Sequence, residues 1–179
     1  MSWAPWQRLI AIAAGLGFAS SLCVHIAARA GYEASYGETA QVLFMGVFVV
    51  WFPTVLYMRR FNREFGRGLG FKAWKVVVTG APPWLVYLAG AAFMYALINF
   101  FTAVSFDRSD GSKVNAGFGI LATGHAMAFY AAAAVINWAA VRRREEGIEW
   151  VCERGHSLSP SDKFCPECGA AAKRSPSAQ

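Results

Sequence analysis

Four stretches of this chain are apolar from end to end and contain no Asp, Glu, Lys or Arg: about 9–28, 39–58, 84–104 and 117–141. Each is near the roughly 20 residues a helix needs to cross a bilayer's hydrocarbon core. Inside lipid the backbone must satisfy its own hydrogen bonds, and for separate segments of this length only the helix does so. A soluble helical core is the competing arrangement. Its helices need a polar face, whereas these segments are apolar all round. Charged residues make up 16% of the chain, against roughly 25% in soluble domains. The expected fold is an all-α membrane protein with four transmembrane helices. The first stretch follows Arg8 and ends near "AARAG", which resembles a secretory signal. Its apolar run is longer than a signal core, so a retained helix is expected.

Charge in the connecting segments sets the orientation. Between the second and third helices lie Arg59, Arg60, Arg63, Arg67, Lys72 and Lys75 against the single acid Glu64, and "RRREE" follows the fourth helix. The other two connections have no basic excess: Arg29, Glu33 and Glu38 in one, Asp107, Arg108, Asp110 and Lys113 in the other. Basic loops stay on the cytoplasmic side. Both termini and the basic loop are therefore expected inside, in a plasma membrane or bacterial inner membrane. The six cations of the loop would contact lipid headgroups, at about 1 kcal/mol each. Trp3, Trp6, Trp84 and Trp138 fall near the inner boundaries, where indole anchors. "KAWKVVVTGAPP", around Trp74, is compatible with a short surface helix.

Residues 142–149 form a charged linker, and 150–170 hold a cysteine pattern of a different kind. Cys152 and His156 are a C-x3-H pair, and Cys165 and Cys168 a C-x2-C pair followed by Gly169. In a reducing compartment such clusters favour metal over disulfides. Three thiolates and one imidazole complete a tetrahedral zinc site and leave no position for a catalytic water. The stretch "GHSLSPSDKFCPECG" resembles the short zinc ribbons of many bacterial membrane and regulatory proteins, with their "KFCPxCG" ending. The resemblance implies a structural Zn2+ on Cys152, His156, Cys165 and Cys168, and often a binding surface. It covers about 150–170 only. His156 stands where those ribbons usually carry a second cysteine. So small a module has almost no core, and the metal would supply most of its folding energy, roughly 10 kcal/mol or more. Residues 171–179 are expected to be disordered.

Within the membrane, Ala11, Gly15 and Ala19 recur at four-residue spacing, and the fourth segment carries Ala122, Ala126 and Ala131 to Ala134. Small residues let helices approach closely, so the first and fourth helices are expected to touch. Phe44, Phe48, Phe52, Phe93, Phe100 and Phe101 would face lipid or a partner, and Pro53 would bend the second helix. Asn99 and Asn137 are expected to bond between helices, and Cys23 to pack. His25 and His125 lie at similar depths below the outer boundary. If they faced each other they would form a haem, metal or proton site, although the small-residue stripes leave little room for a haem.

No nucleophile–base pair, paired carboxylates or phosphate loop appears, and "GRGLG" at 66–70 lacks the strand–turn–helix context of a dinucleotide site. Residues 142–179 carry seven basic and six acidic side chains, not the basic footprint nucleic acid requires. The expected function is that of a non-enzymatic accessory or regulatory membrane protein whose cytoplasmic tail binds another protein. A haem- or metal-binding redox protein using His25 and His125 is the second reading, and self-association into a homo-oligomer is open to either.

Overall fold

The first helix, α1 (Ala4–Arg29), stops where Gly31 takes a left-handed φ of 84°. The Tyr32 N–H reaches back to the Ala27 carbonyl at 3.2 Å and the Gly31 N–H to Ala28 at 3.1 Å. This paired closure satisfies two end carbonyls and depends on a residue without Cβ at the turn. Helix α2 (Tyr36–Phe65) opens with Glu38 in its first turn and contains Pro53. Helix α3 (Pro83–Val104) begins on a proline, whose missing N–H costs nothing at that position. Helix α4 runs from Gly111 to Glu145. Two short strands, β1 (Trp150–Cys152) and β2 (Ala172–Arg174), form an antiparallel ladder.

The computed structural model describes residues 4–32, 36–65, 77–104, 111–145, 150–152, 158, 162, 164–170 and 172–174, some at element ends by backbone alone. The surface helix around Trp74, the side chain of Arg63, and Arg67, Lys72 and Lys75 lie outside the described residues.

Four helices are long and apolar enough to cross a membrane: Pro5–Arg29, Glu38–Phe61, Pro83–Thr102 and Gly119–Arg143. Each bound falls within about a turn of the apolar stretch in the sequence. The ends are sorted by side-chain pairing. Arg8 at the start of α1 bonds Glu145 at the end of α4. Arg143 donates to the Tyr57 hydroxyl at 2.7 Å and to the Val77 carbonyl at 2.9 Å, and lies 4.9 Å over the Phe61 ring. The start of α1, the end of α2, the approach to α3 and the end of α4 therefore share one face of the bundle. Arg59 and Arg60 are exposed at this same basic end.

Helix α4 is the hub: 72% of its apolar stretch is buried, against 17–22% for the other three. Its Ala-rich sequence is what permits this, since helices can close on it from three sides. α1 packs on α4 most extensively, as the small residues suggest, and α2 and α3 each pack on it too. The face of α1 is not the one the four-residue spacing indicates. Ala11 is buried, but Gly15 and Ala19 are exposed; the inward positions are Gln7, Ala11, Ala14, Ser21 and His25. Their steps of four, three, seven and four residues track the 3.6-residue turn, whereas a strict step of four drifts around the helix. Cys23 also faces outward.

Large apolar side chains cover the outside, among them Phe48, Phe52, Phe93, Phe100 and Phe101, as expected for lipid contact. Tyr130 anchors the centre. Its ring packs on Gly17 of α1, and its hydroxyl donates to the Leu43 carbonyl of α2 at 2.8 Å, beside Gly46.

Candidate functional site

His25 ties three helices together. Its Nδ1 lies 2.9 Å from Thr123 Oγ1 on α4, and its Nε2 lies 2.5 Å from the Tyr95 hydroxyl on α3. The rings of His25 and Tyr95 meet edge to face at 5.3 Å. Directions follow from what each atom can do. Thr123 Oγ1 is 2.8 Å from the Gly119 carbonyl, which can only accept, so the threonine proton points there. The threonine oxygen then accepts from His25 Nδ1–H; in the neutral imidazole Nε2 keeps the lone pair and accepts from the Tyr95 O–H. The chain Tyr95 to His25 to Thr123 to Gly119 is thereby fully directed, with neutral His25 held as its Nδ1–H tautomer.

Nearer the end of α1, Arg29 donates to Asn99 Oδ1 at 2.8 Å. Asn99 Nδ2 is buried against Gly124 and has no partner among the described residues. At the other end, Asn137 donates to Thr54 Oγ1 at 2.8 Å and to the Ala133 carbonyl at 2.9 Å, and Thr54 in turn donates to Val50 at 2.6 Å. Both asparagines thus join helices, as their types suggest. Between the two polar levels lies an apolar cluster of Ala14, Val47, Val50, Ala126, Ala133 and Ala134 around Tyr130.

His125 does not meet His25. Thr123, which faces His25, is two residues from His125, and two helical steps turn the side chain through about 200°. His125 Nδ1 bonds the Leu121 carbonyl of its own helix at 2.9 Å, and its ring lies edge-on to Phe100 at 6.2 Å. Both nitrogens of His25 are engaged by Thr123 and Tyr95. The facing pair that a two-histidine haem site requires is not formed. The sequence carried no sign of Tyr95 and Thr123 as partners: they stand 70 and 98 residues from His25.

In the tail, the segment from Cys165 closes into a compact turn. The Gly169 N–H bonds the Cys165 carbonyl at 2.8 Å, with Gly169 at φ 68°, and the Cys165 N–H bonds the Ala170 carbonyl at 2.7 Å. Cys165 is buried on Leu158, with Cys168 and Ala170 packed against them. Cys152, at the end of β1, is paired with Ala172, four residues past Cys168. The partner strand, Ala172–Arg174, lies past residue 170, since backbone pairing leaves no mark in side-chain polarity. His156 and the side chain of Cys152 lie outside the described residues; among those described, no three His, Cys, Asp or Glu side chains gather.

Comparison with protein-family models, curated proteins and solved structures finds no match to this chain.

Proposed function

We propose that this chain is a non-enzymatic accessory or regulatory protein of a plasma or bacterial inner membrane, whose cytoplasmic tail is clamped by one structural zinc and docks a protein partner. The observation that carries this is the turn at Cys165–Ala170. A buried cysteine, a second cysteine three residues on and a left-handed glycine fit the pattern in which two sulfurs converge on one ion. The register pairs Cys152 with Ala172, two residues past Ala170, whose carbonyl accepts from the Cys165 N–H, and this supports the same reading. Cys152, His156, Cys165 and Cys168 would hold the metal, which contributes folding energy and no open coordination position.

The basic end of the bundle supports a cytoplasmic tail. Arg8, Arg59, Arg60 and Arg143 stand there together with the end of α4 that leads into the tail, and basic ends stay inside. The exposed Arg59 and Arg60 suit contact with anionic headgroups. His25 serves as a junction between helices.

The test compares partners recovered with the full chain, with residues 150–179 deleted, and with Cys165→Ser. A partner lost from both variants while the helices stay membrane-inserted is the expected result. An unchanged partner set in both would overturn a docking role for the tail.

A further inference from the structure

The three outer helices do not enclose α4 completely. α1 packs on α2 and is joined to α3 through His25–Tyr95 and Arg29–Asn99, whereas among the described residues α2 and α3 hardly touch each other. The part of α4 left at their seam carries Leu121, His125 and Phe129, all at least partly exposed. Trp51 of α2 meets Phe129 edge to face at 5.3 Å, and Phe100 of α3 meets His125 in the same manner. At the seam this strip of α4 is left partly exposed beside the rings of Trp51 and Phe100.

Of the three described α4 residues at the seam, His125 alone has a polar side chain. The Leu121 carbonyl can only accept, so His125 Nδ1 carries a hydrogen, and the lone pair of the neutral imidazole lies on Nε2. Among the described residues nothing pairs with that nitrogen. A carbonyl holding one ring nitrogen fixes the ring's direction and presents the other nitrogen ready-oriented. His125 is six residues inside the span that begins at Gly119, about 9 Å at 1.5 Å per residue. At that depth there is no bulk water to pair an acceptor, and leaving one unpaired is unfavourable. Acyl chains have no donor, and headgroups lie shallower.

We infer that this seam binds a membrane-soluble hydroquinone, a ring hydroxyl donating to His125 Nε2 and the flat ring lying against Phe100, Phe129 and Trp51. The donor matches the oriented lone pair, the flat ring matches the aromatic side chains, and an apolar tail would run out between α2 and α3 into lipid. The site shares no residue with the tail and is independent of the zinc reading.

The full chain in lipid nanodiscs, with radiolabelled decyl-hydroquinone kept reduced, provides the test. Saturable binding is expected, weaker by about tenfold or more for His125→Phe and for the dimethyl ether of the same compound, which has no donor. His125→Gln, which retains an acceptor, should recover most of the binding. Equal binding of hydroquinone and ether to the natural chain would overturn the proposal, and that comparison stands even if His125→Phe fails to fold. Equal competition by decanol would reduce the site to a general hydroxyl acceptor and also overturn it. A haem absorption band lost in His125→Phe would give the seam a different occupant and overturn it as well.

Discussion

The ring of Tyr130 lies so close to Gly17 that a Cβ at residue 17 would overlap it. A central helix with a bulky aromatic can be approached by its neighbours only where they carry no side chain. Gly46 plays the same part for the hydroxyl end of the ring. Overpacking a filled site costs about 1–3 kcal/mol. Gly17→Ala should therefore lower the thermal unfolding midpoint in detergent, and Gly15→Ala, which meets open space, should leave it unchanged. Tyr130→Phe removes the hydroxyl that faces Gly46, so Gly46→Ala should be better tolerated in that background, with a coupling of about 1 kcal/mol in a double-mutant cycle. Additive effects would mean that the hydroxyl does not fill the space at Gly46.

The directed chain through His25 fixes which ring nitrogen carries hydrogen. Nitrogen NMR of the labelled chain near neutral pH should show His25 protonated at Nδ1 and unprotonated at Nε2. Thr123→Val and Tyr95→Phe should each destabilise by about 0.6–1.7 kcal/mol, the range found for hydrogen bonds between membrane helices. Because both act through one imidazole, their effects should fall short of additive. A His25 spectrum showing hydrogen on Nε2 alone would reverse the assigned directions.

The spans were legible because total apolarity needs no knowledge of neighbours: every window of about 20 uncharged residues must go somewhere without water. The contact of α1 with α4 was legible from alanine and glycine content. Direction was not. Gly15 and Ala19 read as an interface and turned out exposed, while Gln7, Ser21 and His25 turned inward. Composition records how close a helix can be approached, and only the partner's position records from which side. The similar depth of His25 and His125 was countable along the chain, but whether they face each other depends on which side of α4 meets α1. The Cys165–Ala170 turn was legible because C-x-x-C-G is a local pattern, and the pairing of Cys152 with Ala172 was not, being set by backbone register.

Gln7 is buried at the basic end with neither amide atom partnered among the described residues. A buried polar group without a partner costs about 1–3 kcal/mol, and replacing it with an apolar group of like shape is neutral or favourable. Gln7→Met should therefore unfold at the same temperature or higher. A clear loss of stability would show that an ordered water, or a segment outside the described residues, pairs with the amide.

Gly169 sits at φ 68° in the turn that separates Cys168 from the second strand. That region costs an ordinary side chain roughly 1–2 kcal/mol. If the turn positions two zinc thiolates, the strain must appear in metal affinity, because metal binding and folding of so small a module are one process. Elemental analysis of the purified chain should give about one zinc, and chelation should release it and expose the tail to protease. Gly169→Ala should weaken zinc retention by about tenfold in competition with a chromogenic chelator, and Cys168→Ser should abolish it. Gly169→Asn, whose short polar side chain tolerates the left-handed region, should fall between glycine and alanine. A Gly169→Ala chain that held zinc as tightly as the natural one would separate the turn from the metal. A natural chain with no zinc would leave the Cys165 turn as a folding motif only.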